Sequence, residues 1–67
     1  MNIFNNRIKN LRNQKNLTQK QLAEALNMTE RAYRNYEIKE STPTLENLIL
    51  IADYFGVSID YLVGRTD

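Results

Sequence analysis

An all-α fold of five short helices is what this 67-residue chain predicts. Three observations carry that expectation. Apolar residues recur at helical spacing, no segment alternates as a strand would, and the breaks between segments hold capping and stop residues. Phe4, Ile8 and Leu11 recur at i, i+4, i+7 and predict a first helix from about Ile3 to Lys15, ended by Asn16. Thr18-Gln19-Lys20-Gln21 reads as a capping box, so a second helix runs from Thr18 to about Asn27 with Leu22, Ala23 and Leu26 as its apolar stripe. Asn27 suits the left-handed conformation that closes a helix. Thr29 then caps a third helix reaching about Glu37. Ile38 to Pro43 is a loop, because proline biases the preceding Thr42 away from helix. Thr44 caps a fourth helix that runs through Phe55 to a stop at Gly56. Ser58 caps a short fifth containing Ile59 and Leu62, and Gly64 ends it.

Periodicity also proposes the core. Leu45, Leu48, Ile51, Ala52 and Phe55 share one face of the fourth helix. They are expected to meet Ile8, Leu11, Leu22, Leu26, Tyr33 and Tyr36. Truncating any large member to Ala should cost roughly 2–5 kcal/mol.

Composition narrows the function. A chain this short forms one small domain, residues 1–67. It has no cysteine and no histidine, which excludes disulfides and the usual thiolate or imidazole metal sites. No nucleophile–base constellation remains, so the expectation is a non-enzyme without cofactor or metal. No apolar run is long enough to span a bilayer and no signal-peptide pattern opens the chain, so the expectation is a cytoplasmic protein that neither spans a membrane nor is secreted.

The net charge of +1 conceals an asymmetry. Residues 1 to 36 carry seven Lys/Arg against Glu24 and Glu30, a balance of +5; residues 37 to 67 carry two against six acids, a balance of −4. Such segregation orients a protein toward a polyanion, and it also serves plain solubility.

The second and third helices, with their short turn, outline a helix-turn-helix. At about 100° per residue, Ala32, Tyr33 and Tyr36 occupy one sector of the third helix, while Glu30, Arg31, Arg34 and Asn35 occupy the opposite side. Arg pairs bidentately with guanine, Asn with adenine, and Glu accepts from cytosine. The same four residues would also make an ordinary solvated face, with Glu30 and Arg34 an i,i+4 ion pair worth a few tenths of a kcal/mol, roughly.

From Ile8 to Leu62 the chain resembles the phage-repressor-like (Cro-like, XRE-type) helix-turn-helix domains. The matching elements are LTQKQLAEALNMT, RAYRNYE, a proline six residues after Glu37, TLENL and FGVSIDYL. The resemblance implies a compact five-helix repressor-like domain binding double-stranded DNA as a homodimer on a near-palindromic operator, in a transcriptional regulator, most plausibly a repressor of phage, mobile-element or antitoxin type. It assigns base contacts to Glu30, Arg31, Arg34 and Asn35, and phosphate contacts to Gln19, Lys20, Thr29, Lys39 and Ser41. Ala23 matches the small residue where the two helices cross, and Arg12 with Glu37 matches a structural ion pair. The chain departs from the family pattern at three places. Asn27 stands for the usual glycine of the turn. Tyr33 stands for Ile or Val, and requires a larger core or an emergent hydroxyl. Lys39-Glu40 stands where glycine and a basic residue are common, which weakens that loop as a phosphate contact.

Leu50 and Tyr54 lie opposite the core stripe of the fourth helix and, with Tyr61 and Val63, suggest a surface for self-association. Scattered surface apolars are the alternative. An alternative function on the same fold is a protein-interaction module that has lost DNA binding.

Overall fold

The structure, a computed structural model, describes residues 2–38 and 42–66. Five helices follow one another: α1 (Asn2–Gln14), α2 (Gln19–Ala25), α3 (Glu30–Glu37), α4 (Leu45–Phe55) and α5 (Ile59–Val63), with no strand among the described residues. The all-α expectation holds, with ends differing by one or two residues because the capping residues themselves stand outside the helices.

The caps are those the sequence signals. Thr18, Thr29, Thr44 and Ser58 each accept a hydrogen bond from the backbone N–H three residues on, at 3.0, 3.1, 3.2 and 2.9 Å. Thr18 N–H donates in return to Gln21 Oε1 at 2.9 Å, completing the capping box. Four helices end alike. Asn16, Asn27, Gly56 and Gly64 adopt left-handed φ values of 56°, 58°, 67° and 85°. The N–H that follows each turns back to a carbonyl five residues earlier: Leu17 to Arg12, Met28 to Ala23, Val57 to Ala52 and Arg65 to Asp60. Asparagine thus replaces glycine in the turn between α2 and α3 without changing its geometry.

α2 packs on α3, α1 on both α3 and α5, and α4 on α5. The buried core is Phe4, Ile8, Leu22, Ala23, Leu26, Tyr33, Tyr36, Ile51, Ala52 and Leu62. Leu11, Leu48 and Phe55 are half-buried against it. Leu45 is a correction, since it is 66% exposed. It opens α4 in the first turn and lies at the edge of an apolar arc centred between Ile51 and Ala52, so that arc fills before reaching it.

An aromatic trio fills the space around α3. Phe4 and Tyr33 each meet Tyr36 edge-on, with ring centroids 6.3 Å apart in both pairs. The Tyr36 hydroxyl accepts from Asn47 Nδ2 at 2.9 Å, tying α3 to α4. Asn5, also buried, donates to the Tyr36 carbonyl at the C-terminal end of α3.

The two ends of the chain are joined by Arg7. Its guanidinium lies 4.2 Å from the Tyr61 ring centroid and donates to the Tyr61 carbonyl and, at 2.7 Å, to the Thr66 carbonyl. Beside it Ile3 covers Gly64 so closely that a Cβ there would sit 2.8 Å from Ile3 Cδ1.

Candidate nucleic-acid interface

The surface that would face DNA is anchored from within by Glu37, the last residue of α3. Arg12 of α1 grips its carboxylate with two donors, Nε to Oε2 at 2.7 Å and Nη2 to Oε1 at 3.2 Å. A third Arg12 nitrogen donates to the Leu17 carbonyl at 2.8 Å, which fixes the loop entering α2. Gln19 Nε2 donates to Oε1 at 3.0 Å, and the Tyr33 hydroxyl donates to Oε2. Four donors saturate the carboxylate. Both ionic side chains are largely removed from water, Arg12 at 12% and Glu37 at 4% exposure.

These contacts set the protonation of the cluster. Burial pushes the Glu37 carboxyl up, but the hydrogen bonds from Arg12, Tyr33 and Gln19 together outweigh it and hold the group below its ordinary value. The hydrogen bond to Glu37 raises Arg12 further despite its burial. Burial, reinforced by the bond to Glu37, raises Tyr33 well above the usual tyrosine range. At neutral pH the cluster is therefore a fixed guanidinium–carboxylate pair with a neutral phenol. Tyr33 resolves its departure from the family pattern in this way: its hydroxyl does not emerge but ends on Glu37.

On the outer side of α3, Arg34 Nη2 and Glu30 Oε2 stand 3.0 Å apart, both half-exposed. Arg34 Nε also donates to Gln19 Oε1 over a longer 3.4 Å. Arg31 is exposed and Asn35 half-buried, and among the described residues neither side chain is engaged in a hydrogen bond. Lys20 is exposed at the start of α2. Thr29 is exposed, its oxygen occupied by the α3 cap and its own O–H left as a donor. The structure thus brings Gln19, Glu30 and Arg34 into one network. Lys39 and Ser41, the remaining expected phosphate contacts, lie outside the described residues together with Glu40.

The four residues expected to form an association surface are not equally presented. Leu50 and Tyr54 are 49% and 38% exposed, whereas Tyr61 and Val63 are half-buried and one face of Tyr61 is covered by Arg7. Lys15 Nζ approaches the Tyr54 ring to 5.7 Å.

Sequence reasoning missed the engagement of Gln19 with Glu37 and the role of Asn5. The second was detectable. Asn5 and Arg12 are seven residues apart at the same edge of the α1 apolar stripe, which marks two polar side chains aimed at one neighbour.

Comparison with known proteins agrees with this architecture. A helix-turn-helix family model matches residues 8–62. The chain is 38% identical over 61 residues to an HTH-type transcriptional regulator, YobD, of Bacillus subtilis, covering 91% of this chain and 54% of that protein. It is 44% identical over 59 residues to the cryptic phage CTXphi transcriptional repressor RstR of Vibrio cholerae, covering 88% and 53%. It is 42% identical over 61 residues to the transcriptional activator BcrR of Enterococcus faecalis, covering 91% and 30%. The chain therefore spans about half the length of the first two and less than a third of the last. No solved structure matches it. With the capped α2–turn–α3 unit, the Arg12–Glu37 pair and a family match over about four fifths of the chain, this protein belongs to the helix-turn-helix family in its phage-repressor-like (XRE-type) form, a family of DNA-binding transcriptional regulators.

Proposed function

We propose that this chain binds double-stranded DNA sequence-specifically through α3 and acts as the DNA-binding domain of a transcriptional repressor of phage, mobile-element or antitoxin type. The observation that carries the proposal is the division of α3 into an anchored inner face and an outer face of Glu30, Arg31, Arg34 and Asn35. Of these, Arg31 and Asn35 carry donors and acceptors uncommitted among the described residues. A reading helix needs both properties: a rigid seat, here the Glu37 cluster, and free polar ends. The 44% identity with a phage repressor supports a regulator of this kind.

In this proposal Lys20 and Thr29 flank the reading face at the backbone, and two copies place their third helices about 34 Å apart, on successive major grooves of a near-palindromic operator. Such a protein works where the chromosome is, in the cytoplasm, and no helix of the described residues is long and apolar enough to cross a membrane.

Selection of bound sites from random duplexes tests specificity and half-site spacing together. Absence of any preferred duplex at moderate salt would sink the proposal and leave a protein-interaction module as the function of the fold. Where a preferred site emerges, Arg31→Ala or Asn35→Ala should relax one base position at a cost of about 1–3 kcal/mol, while Lys20→Ala weakens all duplexes and lowers the salt slope by about 1.

A further inference from the structure

Gln19 is the first residue of α2, and its side-chain amide lies between a buried anion and an exposed cation. Which end of the amide faces which neighbour is decided by chemistry. The Glu37 carboxylate only accepts and the Arg34 guanidinium only donates. Reversing the amide would oppose two acceptors at 3.0 Å on one side and two donors at 3.4 Å on the other. The carboxylate thus compels the carbonyl end of Gln19 to point outward, toward Arg34. From the other side Glu30 Oε2 receives Arg34 Nη2 at 3.0 Å.

We infer that Gln19 is a positioning residue that carries the fixed orientation of Glu37 to the surface and holds the Arg34 guanidinium in one reading position between itself and Glu30, an assignment that rests on α3 reading DNA as proposed above. A guanidinium has five N–H groups. The Nε–H faces Gln19 and one Nη2–H faces Glu30, which leaves three N–H groups, two on Nη1 and one on Nη2. One from each terminal nitrogen makes a fork for two acceptors side by side, and in this assignment its occupant is the O6/N7 edge of a guanine. Free in solution, an arginine half exposed to water would sample many rotamers before binding. The two flanking acceptors remove that search, and only one of them, Gln19, is itself locked by the core. Glu30 lies on the same exposed turn as Arg34 and cannot fix its position alone. Gln19 would on this basis differ from a simple phosphate contact: it acts on one base pair through Arg34, not on every duplex alike.

The test is a double-mutant cycle with Gln19→Ala, Gln19→Met and Arg34→Ala, read by affinity for the selected site and its single-base variants. Solution NMR of the Arg34 Nε–H in the free proteins accompanies it. Gln19→Met keeps the length of the side chain without its polar ends, and thermal melting confirms that each variant folds. The expected result is that both Gln19 variants lose about tenfold discrimination at the same G·C pair that Arg34→Ala relaxes. They should bind random duplex as before, and add nothing to Arg34→Ala. In both, the Arg34 Nε–H signal should shift and exchange faster than in the parent. The inference is overturned if the Gln19 variants weaken all duplexes equally with base preference and the Nε–H signal unchanged. It is also overturned if Arg34→Ala itself weakens all duplexes uniformly, which would place Arg34 on phosphate. If the parent prefers no duplex, the DNA-reading proposal has failed, and an Nε–H signal indifferent to Gln19 would then overturn the positioning role as well.

Discussion

Removing Arg12 would leave the Glu37 carboxylate buried with only Gln19 and Tyr33 to face it. Breaking one half of a buried ion pair costs about 3–5 kcal/mol, most of the stability of a domain this size, so Arg12→Ala should be largely unfolded or melt far below the parent in a denaturant titration. The same residue governs the response to acid. Glu37 titrates below its ordinary value of 4.5 in the folded protein, so the stability it contributes is present above that value and is lost as pH falls through the folded pKa. Glu37→Gln should therefore lower stability at neutral pH and flatten its decline below about pH 4.5, measured as melting temperature against pH. Tyr33 has the opposite sign. Its folded pKa is raised, so its contribution is complete below 10 and declines as pH rises beyond it; Tyr33→Phe should remove that part of the alkaline loss. Of this cluster, family resemblance disclosed Arg12–Glu37 and left Gln19 on phosphate. A glutamine has both donors and an acceptor, and nothing along the chain says which neighbours on the next helix will claim them.

Helix ends were legible because they are local. Thr18, Thr29, Thr44 and Ser58 begin helices, and Asn16, Asn27, Gly56 and Gly64 close them, each within a few residues of the backbone groups it serves. What lay beyond local reading was how far each apolar stripe would be covered. Leu45 fits the periodicity of α4 and still faces water, because coverage depends on how α5 and α3 meet α4. The two glycine closures also differ in a way only the packed structure reveals. Gly56 has open space around it, whereas Gly64 lies against Ile3. Gly56→Ala should lose about 1 kcal/mol from its left-handed backbone alone. Gly64→Ala carries the same backbone strain plus the clash with Ile3, and its melting temperature should fall below that of Gly56→Ala.

At the scale of the molecule, the basic first half of the chain folds into α1, α2 and α3, and the acidic second half supplies α4 and α5. The charge asymmetry read from the sequence thus becomes a division between two sets of helices, suited to orienting the domain toward a polyanion. On α4, Leu50 and Tyr54 remain the best-exposed part of the proposed self-association surface. Leu50→Glu should leave the unfolding free energy within about 0.5 kcal/mol of the parent, as surface changes do. If two copies meet there, it should also abolish dimers in sedimentation and convert two-half-site binding into binding of single half-sites.

The clasp of Arg7 on the Tyr61 and Thr66 carbonyls, with Ile3 seated on Gly64, makes the path of the backbone almost a closed ring. Where the first helix and the segment after the last lie side by side, the order in which the helices are spelled matters little to the finished object. A circular permutant joined from residue 66 to residue 3 by a short flexible linker, and opened instead at the exposed Gly56, would pay little extra closure entropy. It would open the backbone away from the α1–α5 seam while leaving the α2–turn–α3 unit uncut.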